Sequence, residues 1–315
     1  MELPDITTRT IRTRGLIFEA ETHKSPSPRT SPVLAIRAGG EGESTIRPQR
    51  RALLPVADVI GVRITGVSRP GDLPPDCTLN DIGDGLAVLL DELGLPRVNI
   101  LGTSHAGEIA YRFAVRHPDR TDHVVLTGAN GHPPELPAGS TPASIAARVR
   151  VSRHDVAEEV IARVLCMDPE RPVRGRTTLR WVLNDLFHGA EDDHINQWTG
   201  CIQMLCAAPP VTGVPAPLLV VTGEHDIAIR PGDSRTLAAM SSQAVFATIH
   251  EADHWVVLTH IREHLDLTRR FLLDEPLEDL PYLAELERFP RQDVAGPQAV
   301  APAQALAGPS HEQSN

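Results

Sequence analysis

At 315 residues the chain has room for one large α/β domain and an inserted subdomain. A formal charge of −11 with no basic run excludes a protein built to follow a nucleic-acid backbone. No apolar segment approaches the roughly 20 residues that cross a bilayer, and the start, M-E-L-P-D-I-T-T-R-T, lacks the apolar core of a signal peptide, so a cytoplasmic location is expected. The four cysteines, Cys77, Cys166, Cys201 and Cys206, form no C-x-x-C and read as buried free thiols.

The predicted elements alternate in type. One or two leading antiparallel strands are expected around Thr10–Phe18, then a short buried strand, Val33–Ile36, entering the glycine loop Ala38-Gly39-Gly40. A helix around Arg47–Ala57 and a strand Val59–Ile64 follow. Thr78 starts a helix as its N-cap with Asp81 three residues on; Ile82, Leu86, Leu89, Leu90 and Leu93 supply its apolar stripe, and Gly94 and Pro96 stop it. Val98–Leu101 is the next strand, Glu108–Arg116 a helix, and His123–Thr127 a strand ending in Gly128-Ala129-Asn130-Gly131.

That rhythm breaks from His132 to Ala216, where only helix-like segments such as Ser144–Val151, Asp155–Leu165 and Thr177–Phe187 are found. It resumes with strands Leu218–Thr222 and Val245–Ile249 and a final helix Ile261–Leu273. The organisation predicted is therefore a mostly parallel, doubly wound α/β sheet (1–131 and 217–275), a helical cap insertion (132–216), and a C-terminal extension (276–315) whose end is low in complexity and expected to be disordered. An insertion between strands would lie over the sheet's C-terminal edge, where such folds bind ligands.

Gly102-Thr103-Ser104-His105-Ala106-Gly107 joins an apolar strand to an amphipathic helix. A turn this tight strains its middle residue and demands small neighbours two positions away, which Gly102 and Ala106 provide. It lifts the serine to the N-terminus of a helix whose dipole favours an anion. Taken alone, the pattern also suits a serine that merely caps a helix. A serine hydroxyl needs a base, and the base an acid to fix its tautomer. Gly223-Glu224-His225-Asp226 leaves one later strand, and His250-Glu251-Ala252-Asp253-His254-Trp255 leaves the last. Serine, acid, histidine, each just past a parallel strand, is the order this architecture requires.

On these motifs, and on T-L-N-D-I-G-D-G-L-A-V-L-L-D-E-L-G-L-P-R-V-N-I-L-G leading into the turn, the chain from Pro32 to Asp274 resembles the α/β-hydrolase superfamily, in its serine-nucleophile branch with a helical cap. The resemblance implies Ser104 as nucleophile, His254 as base and Asp226 as acid. It also implies oxyanion donors at the backbone N–H of His105 and of Gly39. The family's usual His-Gly is replaced here by Arg37 and Ala38, so Arg37 either brings a positive charge to the site or folds away onto an acidic neighbour.

Several residues compete for these roles. Glu224 is the nearest rival acid, since only one of Glu224 and Asp226 can easily face His254. His250 lies too early, His225 reads as a loop-fixing residue, and His260 and His264 read as surface residues of the last helix. His105 is not the expected base, because consecutive residues entering a helix point their side chains apart. The cluster His188, Glu191, Asp192, Asp193, His194 matches no metal-ligand spacing and reads as a solvated loop. Trp255, Trp181 and Trp198, with Arg37, are candidate substrate-binding residues.

The activity expected is hydrolysis of a small, fairly apolar ester, thioester or lactone through an acyl-enzyme, with a small-molecule substrate and neither metal nor cofactor. Carbon–carbon bond hydrolysis, acyl transfer, cofactor-free haloperoxidation and secondary-metabolite tailoring can use the same residues. A non-catalytic small-molecule receptor is the alternative of another class.

Overall fold

A computed structural model describes residues 6–37, 43–69, 71–74, 76–134, 136 and 138–289. The chain opens with a hairpin of β1 (Ile6–Thr13) and β2 (Leu16–His23). Arg14 and Gly15, both at positive φ (52° and 78°), make its two-residue turn, the combination whose twist matches the flanking strands. Then follow β3 (Val33–Ile36), α1 (Glu43–Leu53), β4 (Val59–Ile64), α2 (Leu79–Leu93), β5 (Val98–Thr103), α3 (His105–Arg116) and β6 (Thr121–Thr127). Four helices come next: α4 (Pro142–Val151), α5 (Arg153–Val164), α6 (Arg176–His188) and α7 (Asp192–Cys206). The sheet resumes with β7 (Leu218–Gly223), α8 (Pro231–Ala239), β8 (Ala244–Ile249), α9 (Val256–Thr259), α10 (Ile261–Leu272) and β9 (Leu283–Phe289).

All nine strands form one sheet in the order β1-β2-β4-β3-β5-β6-β7-β8-β9. From β4 to β8 every pairing is parallel; β2 joins β4, and β9 joins β8, antiparallel. Successive side chains of the central strands are buried on opposite faces, as a parallel sheet covered on both sides requires. Ile100, Val124 and Leu126 pack with Ile82, Leu86, Ile109 and Phe113 of α2 and α3. Leu101 and Val125 pack with Leu53 of α1 and with Leu267 and Phe271 of α10. This is an α/β-hydrolase-type sheet, with the C-terminal ends of its parallel strands along one edge.

The caps of α2 match the sequence reading: Thr78 Oγ1 accepts from the Asp81 N–H at 3.2 Å, and Asp81 returns the bond to the Thr78 N–H at 2.9 Å. Gly94 closes the helix at φ 67°, ψ 31°.

Other boundaries differ. Helix α1 stops at Leu53 and not at Ala57, because Pro55 disfavours helical geometry at the residue before it. Asp192, Asp193 and His194 do not lie in a loop; they form the first turn of α7, where acidic side chains complement the helix dipole. The extension read for 276–315 contributes β9 to the sheet, with Ala247 opposite Leu286. Its charged sequence, L-A-E-L-E-R-F, suits an edge strand with a solvated side. Among the described residues no helix is long and apolar enough to cross a membrane.

Candidate active site

Ser104 sits between β5 and α3 at φ 54°, ψ −126°, a conformation rare for any residue with a side chain. The turn is tight because Gly102 and Gly107 let it close. A Cβ on Gly102 would lie 2.3 Å from the Ala106 carbonyl oxygen, and one on Gly107 would lie 3.1 Å from the Ala129 methyl. The backbone is fastened to the neighbouring strand: the Ser104 N–H donates to the Thr127 carbonyl at 2.8 Å. Its own carbonyl accepts from Gly107 N–H at 2.8 Å and Glu108 N–H at 3.3 Å, which starts α3. The free N–H groups of that helix's first turn, His105 among them, give the serine a positive electrostatic setting.

Two loops bring the partners. Asp226 follows β7 with a fully buried side chain. Its Oδ1 accepts from the N–H groups of Ala228 (2.9 Å) and Ile229 (2.8 Å), and its Oδ2 from the Thr222 hydroxyl (3.0 Å). The same Oδ2 meets Nδ1 of His254, which follows β8, at 3.0 Å. Nε2 of His254 lies 3.3 Å from Ser104 Oγ. A proton on Nδ1 satisfies the carboxylate and leaves Nε2 as the acceptor facing the serine. Both loops are stitched together at their bases, with His225 N–H on the Ala252 carbonyl at 2.9 Å and Glu224 N–H on the Ile249 carbonyl at 3.1 Å.

Burial, the largest influence on His254, disfavours its charged form. The charge of Asp226, the hydrogen bond to it and the charge of Asp253 outweigh that and hold the imidazole above its ordinary pKa. His105 goes the other way: burial, with the charge of His254 added, pushes it down to about 4. It is neutral at neutral pH, and its buried Nε2 has no hydrogen-bond partner among the described residues.

Rivals sort cleanly by geometry. Glu224 turns to His250 Nδ1 (3.2 Å), His225 Nε2 (3.1 Å) and the Glu251 N–H (2.7 Å), leaving Asp226 alone to face His254. His260 and His264 are not surface residues. Both are buried, His260 at the start of α10 and His264 within it, and His264 Nε2 bonds Thr127 Oγ1 at 2.7 Å.

Of the expected substrate-binding residues, Arg37 is buried, gives Nη1 to Gln49 at 3.0 Å, and lays its guanidinium over Gly61, where a Cβ would meet Nη2 at 2.4 Å. These contacts hold the guanidinium between α1 and β4. Trp181, on α6, is 68% exposed. Trp198 packs edge-on against Phe187 (5.4 Å between centroids, 70°), joining α7 to α6. Trp255 stands edge-on to His254 at 5.9 Å and 86° and gives its indole N–H to the Val164 carbonyl at 3.0 Å. Gly39 lies outside the described residues.

Three further residues build the site. Gly128, at φ 57°, leaves the space that the His254 ring fills. Glu108 accepts from the Gly131 N–H at 2.8 Å and anchors the loop after β6. Asp253 is fully buried beside the histidine. The glycine loop after β6 was the only one of these signals visible in the sequence.

Comparison with known proteins agrees with this fold. A family model described as the alpha/beta hydrolase fold matches residues 56–261. The 2-hydroxymuconate semialdehyde hydrolase of Pseudomonas putida is 25% identical over 194 residues, which is 59% of this chain and 66% of that protein. The chain thus spans just under two thirds of this curated relative's length. Among solved structures, a thermophilic esterase from Thermogutta terrifontis superposes with a TM-score of 0.68 at 22% identity, over 86% of this chain and 98% of that one. The enol-lactonase from Burkholderia xenovorans LB400 gives 0.66 at 23% identity, over 84% and 99%. At these identities the two structures speak for the fold alone.

Proposed function

The chain belongs to the α/β-hydrolase family, and on that footing we propose that it is a serine hydrolase acting on a small, fairly apolar carboxylic ester, thioester or lactone. The observation that carries the reading is the continuous relay Ser104 Oγ, His254, Asp226, at 3.3 and 3.0 Å, on a strained strand-to-helix turn. Ser104 Oγ gives its proton to His254 Nε2 and attacks the substrate carbonyl carbon. Asp226 keeps Nδ1 protonated and stabilises the imidazolium. The His105 N–H and, by family resemblance, the Gly39 N–H take the oxyanion. The imidazolium then protonates the leaving group, and water activated by the same imidazole hydrolyses the acyl-enzyme. The helices between β6 and β7 act as a cap over this chemistry; their hydrogen bonds to the His254 loop support that placement. None of these steps calls for a metal or cofactor.

Cleavage of a carbon–carbon bond on the same residues is a second reading. It is favoured by the similarity to a 2-hydroxymuconate semialdehyde hydrolase. Both readings need Ser104 and His254, so one experiment tests them together. A fluorophosphonate probe is expected to label the wild type at Ser104, with labelling abolished in Ser104→Ala and nearly lost in His254→Ala. Labelling that persists in Ser104→Ala overturns the nucleophile. Absence of labelling in the wild type favours a receptor or an occluded site. A panel of esters, thioesters, lactones and vinylogous diketones then separates the two chemistries.

A further inference from the structure

His254 stands between two residues that both hold the helical insertion. On one side, Asp253 Oδ2 accepts the backbone N–H of Cys166 at 3.3 Å, while Oδ1 accepts that of Trp255 at 3.1 Å. On the other, Trp255 gives its indole N–H to the Val164 carbonyl at 3.0 Å. Val164 ends α5 and Cys166 lies two residues beyond it, so one short stretch of the insertion is gripped by the two residues that flank His254 in the chain. Arg174 adds a third link further along, from its N–H to the Glu251 carbonyl at 2.9 Å and from its guanidinium to Glu263 at 2.8 Å.

Asp253 is not alone in shaping the loop, because Glu224 and His225 also fasten it to the loop after β7. A carboxylate in the interior is costly when its partners are only neutral N–H groups. Burial accordingly raises the pKa of Asp253, with the Trp255 and Cys166 N–H groups pulling the other way. A small apolar residue would avoid that cost but would take the acceptor away from the Cys166 and Trp255 N–H groups. What the carboxylate adds is a tether to the insertion and a negative charge beside the imidazole. The titratable groups acting on His254 and Asp253 are each other, Asp226 from the loop after β7 and His105 from the start of α3. The insertion presents there the buried thiol-bearing residue Cys166.

We propose that Asp253 and Trp255 form a clamp through which the helical insertion sets the placement of His254, with Asp253 the positioning residue for the imidazole. The clamp rests on the reading of Ser104 and His254 given above. A substrate that seats the insertion thereby seats the base, so substrate occupancy and base alignment are coupled.

The test is the rate of fluorophosphonate labelling of the full chain from mildly acidic to mildly alkaline pH, in wild type, Asp253→Asn and Trp255→Phe, with Tm measured alongside. Asp253→Asn is expected to slow labelling roughly ten- to a hundredfold and to move the acid limb of the profile to lower pH, since a charge favouring the imidazolium is gone. Trp255→Phe keeps the ring but loses the donor. It is expected to slow labelling by a smaller factor and leave the limb in place, because no charge is removed. A purely structural role would lower Tm without moving the limb. Wild-type rates and a wild-type limb in both variants overturn the clamp. If Asp253→Asn does not fold, a wild-type rate in Trp255→Phe overturns it alone. A wild type that does not label at Ser104 instead overturns the functional reading beneath it.

Discussion

Gly128 and His254 share one space. A Cβ on Gly128 would lie 3.0 Å from Cε1 and 3.1 Å from Nδ1 of the His254 ring, and 3.8 Å from Asp226 Oδ2. The glycine therefore sets how closely the His–Asp pair can approach the end of β6. Gly128→Ala is expected to push the imidazole away from Ser104 and cut fluorophosphonate labelling roughly ten- to a hundredfold. Its positive φ adds a stability cost of about 1–2 kcal/mol, readable in a denaturant titration. Labelling at the wild-type rate would mean that the ring tolerates the methyl and is not held where the hydrogen bonds place it.

The strain at Ser104 has its own signature. With φ at 54° and ψ at −126°, any side chain there stores energy that glycine would release. Ser104→Gly and Ser104→Ala both remove the nucleophilic oxygen, so both are expected to abolish labelling. They should differ in stability, with the glycine variant the more stable by about 1 kcal/mol. Equal midpoints for the two would show that the turn is relaxed.

Reactivity should depend on pH through His254. The imidazole must be neutral to take the proton from Ser104, and Asp226 and Asp253 together hold its pKa above the ordinary histidine value against the opposing effect of burial. Labelling should therefore fall as pH drops through a midpoint higher than that of a free histidine. Asp226→Asn removes the largest favourable charge and the tautomer lock. It should lower the plateau by several orders of magnitude and shift the limb to lower pH. A limb in the wild type below the ordinary histidine pKa would contradict this account.

Much of this architecture was legible in the sequence, because the governing signals are local. Apolar runs bounded by glycine and proline mark β3 to β8, and Thr78 with Asp81 marks the start of α2. The order of Ser104, Asp226 and His254, each just past a parallel strand (β5, β7 and β8), was enough to place them on one sheet edge. The illegible parts depend on what lies across the fold. Along the sequence Arg37 could either bring a charge to the site or fold away onto an acidic neighbour, and only the fold shows that Gly61 on the neighbouring strand makes room for its guanidinium. His264 reads as polar surface along its own helix, and only the inner face of α10 against Thr127 makes it core. Asp253 carried no signal at all, since its partner Cys166 is 87 residues away.

His105 was singled out by its place beside Ser104, and its imidazole has no hydrogen-bond partner among the described residues. With its pKa pushed down to about 4, it does not compete with His254 for the serine proton at neutral pH. His105→Ala leaves the backbone N–H in place and strips no partner from another group. Labelling within a few-fold of wild type is expected, in contrast to the near-complete loss in His254→Ala. A loss as deep as that of His254→Ala would give the His105 imidazole a part in the chemistry.

Acid stability should carry the mark of His264. Burial pushes this imidazole from an ordinary value of 6.5 down to about 4, while Thr127 occupies its Nε2. Between those two values the unfolded chain binds a proton at this histidine and the native chain does not. Stability is therefore intact above pH 6.5 and lost as pH falls from there to about 4, with a slope from this group of up to about 1.4 kcal/mol per pH unit. Below that window both states are protonated and the contribution levels off. His264→Gln keeps an amide within reach of Thr127 but does not titrate. Its Tm should decline less steeply than that of the wild type across the window, whatever its Tm at neutral pH. Parallel Tm curves for the two proteins would show that His264 is not the group that charges on unfolding.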